Sequence, residues 1–250
     1  MSALVWPICT MILFPLFAAA IAQEKQSKLY LTMQLGSIRQ ESYFVGNYAF
    51  HVLAAVAVGI VYVGFGYISG STQFTNASPV LFAAVVLAWA HAQSGFAMLL
   101  GSLVNSSLAV TVISVCLIVV SAVAVVIVSS VVDVWPAQLD WVPFIAYARA
   151  AALVQSFGGS QVYNGSELQT TLLSTFLEGS AALILAPYFH AVLPGPEQSG
   201  TPAHPLYFLK WIGVEPPRSL WCNCCFSLCP CVRRGRGTDD EQPDETTSLR

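Results

Sequence analysis

The sequence predicts an all-α protein that crosses a lipid bilayer about five times, and three observations predict it. Of its 250 residues, 56% are hydrophobic and only 9% are charged, whereas soluble domains carry about 25% charged residues. The mean hydropathy is +0.66. The charges also avoid long stretches: none precedes Glu24, and none falls between Glu41 and Asp133. A charge at a bilayer centre costs about 2.5–3.5 kcal/mol on insertion scales. Gaps of this length suit a lipid solvent, and a water-soluble globule is excluded for want of polar surface.

A spanning helix needs about 20 apolar residues. Five segments meet that length: 4–22, 43–68, 79–100, 108–132 and 172–192. The first ends in small residues, as a cleaved signal does. However, residues 1–9 hold no positive side chain, and Lys25 and Lys28 follow where a span would meet the cytosol. It therefore reads as a true span. Segment 141–157 is apolar but short and carries Arg149, which suits a re-entrant or interfacial helix better than a crossing one.

Lysine and arginine near the span ends set the orientation. The 23–42 loop holds Lys25, Lys28 and Arg39, and the tail holds Lys210, Arg218, Arg233, Arg234 and Arg236. The long 133–171 loop holds only Arg149. Five spans put both basic regions on one side, the cytosol, with the N-terminus outside or lumenal and the C-terminus cytosolic. Asn164 and Asn76, in the two outer loops, are then candidate glycosylation sites, the latter weakened by the following Pro79. Asn105 lies in an inner turn and is expected to stay unmodified.

No Gly-Lys pair occurs, so no P-loop cradles phosphate. The chain is expected to be no enzyme, to have no catalytic residue, no metal site and no cofactor of its own, and to have no nucleic-acid partner. Residues 156–161 read as a flexible linker. His51, His91, His190 and His204 are scattered. A histidine in a span reads first as a polar group hydrogen-bonded between helices, and second as a proton relay. Glu178 is the one acid inside a span, placed near its outer end by the 172–192 bounds. No span shows a regular polar stripe.

Residues 24–40 read as an amphipathic helix, with Leu31, Leu35 and Ile38 on one face and Lys28 and Arg39 off it. Such a helix either rests on the inner leaflet or acts as a lever for a cytosolic partner. In the tail, Cys222, Cys224, Cys225, Cys229 and Cys231 precede three arginines. A reducing compartment argues against disulfides, and the run is too compressed to wrap zinc. Membrane-proximal cysteines beside basic residues suit palmitoylation. The acidic end of the tail, 238–250, reads as disordered.

Two stretches carry a resemblance. Glu24-Lys25-Gln26-Ser27-Lys28-Leu29, then Met33-Gln34-Leu35-Gly36, then Tyr43-Phe44, resembles the A subfamily of ATP-binding cassette (ABC) transporters. There an "EKE-x-KL" run leaves the second span and an aromatic pair opens the third. Here Gln26 replaces the second acid, and the Met33–Gly36 spacing is one residue short. Tyr188-Phe189-His190-Ala191-Val192-Leu193-Pro194-Gly195, then Gly200 and Pro205-Leu206-Tyr207-Phe208, is similar to the family's closing motif. Arg218-Ser219-Leu220-Trp221 echoes its "R-S-Y-W".

The resemblance covers residues 4–221 and implies a partial ABC-2 type transmembrane domain: spans two to six of a six-span unit, with 141–157 as outer re-entrant helices. Residues 222–250 form the cytosolic tail. It implies a coupling helix of Glu24, Lys25, Lys28, Leu31, Leu35 and Ile38 against a nucleotide-binding domain, where ATP and Mg would bind, and a second transmembrane domain as partner. It also implies a lipid or other amphiphile as substrate. A first span, its large outer domain and a nucleotide-binding domain are absent from these residues, as expected of a truncated gene, a fragment or one part of a split transporter. The rival reading is a non-transporting membrane scaffold or transporter remnant.

Overall fold

The computed structural model describes residues 2–27, 40–75, 78–131, 136–157 and 165–193, all within one compact unit, Met1–Pro202. The described residues are helical, with no strand among them. Five helices are long and apolar enough to cross a membrane.

The first span is broken. Helix α1 (Ser2–Met11) gives way at Ile12 to α2 (Leu13–Gln26). Pro15 accounts for the break, because its ring would clash with the carbonyl four residues earlier, that of Met11. Next comes α3 (Gln40–Ile68), whose end is set by Gly70 at φ +64. Gly70 N donates to Tyr67 O and Ser71 N to Gly66 O. This is the paired closure that a left-handed glycine permits after a helix.

A single turn, α4 (Thr72–Thr75), wedges Phe74 against Phe82, their rings stacked 5.1 Å apart. Helix α5 (Pro79–Leu103) starts with proline at its first position, where no N–H is needed. Helix α6 (Ser107–Val131) follows after a short turn. It is rich in valine and isoleucine and presents most of them outward.

A 3-10 turn (Ala137–Trp141) and α7 (Pro143–Phe157) then fold back among the spans. Phe144, Ile145, Ala146, Tyr147, Ala150, Ala151 and Val154 of α7 are all buried. The short apolar segment thus packs inside the bundle without being long enough to cross it. Helix α8 (Gly165–Val192) completes the described fold.

Helix α5 is the central post, buried on most of its circumference. Its tightest partner is α8, whose buried face is Leu168, Thr171, Thr175, Gly179, Ala182, Ala186 and His190. These positions recur every three or four residues and are mostly small. A Cβ added at Gly95 would meet Gly179 O at 2.4 Å, and one added at Gly179 would meet Ala92 Cα at 2.6 Å. The two backbones therefore touch. In lipid, where apolar burial gives no preference for helix over solvent, such close van der Waals approach is a main source of helix association. Helices α3 and α6 pack more loosely and keep most of their surface outside the bundle.

Candidate functional site: buried polar groups of the bundle

Alternating helices define two ends of the bundle. One carries Gln26, Gln40, Leu103, Ser107 and Val192, and the other carries Ile68, Pro79, Val131 and Gly165.

At the first end, α2 runs on past the expected residue 22 to Gln26, so Glu24 and Lys25 lie in the last turn of a spanning helix. Lys25 is 2% exposed. Its Nζ donates to Ser102 O at 2.9 Å and to Leu193 O at 2.6 Å. These carbonyls stand in the last turn of α5 and just beyond α8, where helix geometry leaves acceptors unpaired. A cation there also meets the negative ends of both helix dipoles. Glu24 accepts a hydrogen bond from Tyr43 Oη at 2.5 Å. Phe44 meets His190 edge-on at 5.4 Å. The Glu24-Lys25 run, the Tyr43-Phe44 pair and the His190–Leu193 segment, distant in sequence, thus converge on one corner.

At the other end, Arg149 of α7 pairs with Asp140 of the 3-10 turn and lies 3.6 Å from Glu167 of α8. Thr171 Oγ1 donates to Asp140 Oδ2 at 3.3 Å. The pair is nearly buried, with side chains 12% and 7% exposed for Arg149 and Asp140. Arg149 was legible as the charge that disqualifies 141–157 from crossing. Its two acidic partners were not, because neither lies at a helical spacing from it.

Between the ends, His91 bridges three spans. Its Nδ1 is 2.7 Å from Tyr48 Oη of α3, and its Nε2 is 3.0 Å from Ser180 Oγ of α8. Its ring stacks on Phe176 at 4.4 Å. It is a polar group satisfied between helices.

Glu178 lies deeper than the sequence suggested. Helix α8 starts at Gly165, two turns before the expected 172, so Glu178 is near the middle of the apolar window Glu167–Val192. The longer helix also reveals a stripe that the shorter bounds hid: Glu167, Thr171, Ser174 and Glu178 share one flank at i, i+4, i+7 and i+11. Neither carboxylate oxygen of Glu178 is exposed or has a hydrogen-bond partner among the described residues.

The remaining predicted site residues, Lys28, Leu31, Leu35, Ile38, Asn76, Asn164, Cys222, Cys224, Cys225, Cys229 and Cys231, lie outside the described residues.

No family model matches the sequence, and no solved structure matches it. Two curated proteins of Dictyostelium discoideum do. The chain is 24% identical to "ABC transporter A family member 9" over 216 residues, covering 82% of this chain. It is 25% identical to "ABC transporter A family member 7" over 217 residues, again 82% of this chain. It spans about a quarter of the length of each relative. With five helices long and apolar enough to cross a bilayer, the chain is a membrane domain similar to part of these A-family ABC transporters.

Proposed function

We propose that this chain is the transmembrane part of an A-family ABC transporter, of ABC-2 type, that moves a lipid or another amphiphile. ATP hydrolysis with Mg in a nucleotide-binding domain would drive it, together with a second transmembrane domain. The observation that carries this reading is the similarity itself, which runs over 82% of the chain. The corner around Lys25 adds support. A push on the segment after Gln26 would reach α5 and α8 directly through the Lys25 hydrogen bonds, and α3 through Glu24 and Tyr43. Residues 24–40 would form the coupling helix, Leu31, Leu35 and Ile38 seating in a groove of the partner. The Lys25 end would face the cytosol, as the basic residues require.

The test is co-purification from native cells. The wild-type chain should capture a nucleotide-binding domain, and Leu35→Asp, which places an unpaired charge in the contact, should insert normally but capture none. Equal capture by the variant removes the coupling role. No capture by the wild type supports a remnant or scaffold instead.

A further inference from the structure

Among the buried polar atoms with no hydrogen-bond partner among the described residues, five lie near the middle of α5 and α8: Trp89 Nε1, Gln93 Nε2 and Oε1, and Glu178 Oε1 and Oε2. Buried polar atoms are nearly always paired, because an orphan gives up its hydration for nothing in return. Gln93 is 1% exposed.

Gln93 and Glu178 each adjoin the α5–α8 backbone contact, where a Cβ added at Gly179 would meet Ala92 Cα at 2.6 Å. Trp89 and Gln93 are one turn apart on α5, and the Trp89 ring stacks on Tyr147 of α7 at 4.3 Å. Glu178 continues the flank of α8 that meets α7 and its preceding turn through Thr171–Asp140 and Glu167–Arg149. Along this flank the described charges are three carboxylates, Asp140, Glu167 and Glu178, and one guanidinium, Arg149. Arg149 is occupied by the first two, and Glu178 is left uncompensated.

We propose that Glu178 and Gln93 form a binding site for an ammonium group. The Glu178 carboxylate would pair with its charge, and the Gln93 carbonyl would accept a second N–H. The N–H groups of Trp89 and Gln93 remain for an oxygen of the same ligand. Glu167, with a side chain 55% exposed, ends the polar flank at the Arg149 end, and Thr171 and Ser174 continue the flank inward. Such an ammonium is found on small free cations and on amine-bearing amphiphiles. The apolar walls of α5 and α8 favour the second source.

The experiment uses the full chain in lipid nanodiscs and needs no nucleotide-binding partner, so its outcome is independent of the ATP-driven reading. A diazirine-bearing dodecylamine is photo-crosslinked, and the labelled residues are mapped by mass spectrometry. Labelling on α5 and α8 near Gln93 and Glu178 should be competed by dodecylamine about tenfold better than by dodecanol, the worth of one charge-assisted hydrogen bond. Glu178→Gln should remove that preference while leaving dodecanol competition unchanged. Gln93→Leu should weaken it severalfold. Competition by methylammonium as strong as by dodecylamine would keep the site and assign it to small cations. Equal competition by amine and alcohol in the wild-type chain overturns the proposal without any variant, as does a retained preference in Glu178→Gln or the absence of mapped labelling near these residues.

Discussion

The ammonium of Lys25 donates to the carbonyl of Leu193 across 2.6 Å of space and 168 residues of sequence. With the bond to Ser102 O, one side chain ties the ends of three spans. Replacing Lys25 by methionine keeps its length and removes its donors, leaving both carbonyls to water or to nothing. Lys25→Met should lower stability by about 1–3 kcal/mol, read as the shift in unfolding midpoint in mixed micelles. A variant as stable as the wild type would show that solvent replaces the ammonium.

The Arg149–Asp140 pair should be asymmetric under mutation. Arg149→Met strands a buried carboxylate and should cost about 3–5 kcal/mol, whereas replacing both partners by apolar residues should recover most of that loss. The double variant Arg149→Met/Asp140→Leu, compared with each single variant by the same unfolding assay, measures the difference. If the double variant is as unstable as the two losses combined, the pair is not the source of the effect.

Gly179 admits no side chain. Gly179→Val should drive α8 from α5 and cost upwards of about 1–3 kcal/mol, the usual penalty of overpacking. Gly64, with open space around its Cα, is the control: Gly64→Ala should be neutral or slightly stabilising, since alanine is the better helix former. Equal effects at the two positions would count against backbone contact between α5 and α8.

Orientation is open to direct measurement. In a chain whose seven cysteines are replaced, Ser27→Cys and Gln138→Cys sit at opposite ends of the bundle, and both positions are exposed. In intact cells an impermeant maleimide should label position 138 and spare position 27, as the basic residues of the 23–42 loop imply. The reverse pattern would invert the topology.

The spans were legible because lipid forbids unpaired charge, so the three apolar segments between Glu41 and Asp133 match three helices to within about three residues. The ends were less legible for the same reason. Glu24 and Lys25 read as the start of a loop because charge normally leaves the membrane there, but Tyr43 Oη and two helix-end carbonyls satisfy them, and the helix continues. Residues 165–171 read as loop because Ser, Glu, Gln and Thr carry no apolar signal. Asp140 and Arg149 supply the partners that let that stretch be helix. What composition could not convey in each case was a hydrogen bond to another element. The depth of Glu178 followed from the second of these misplacements.

The contact between Gly95 and Gly179 also limits how the molecule can move. Sliding α8 one turn along α5 would bring Thr175 or Leu183 against Gly95, where the opposing backbone leaves no room for a Cβ. Rolling either helix would present a bulkier neighbour to the same spot. The two spans therefore behave as a single rigid strut, locked in register like a keyed shaft. Relative motion within the bundle would fall instead to α3 and α6, whose surfaces mostly face outward.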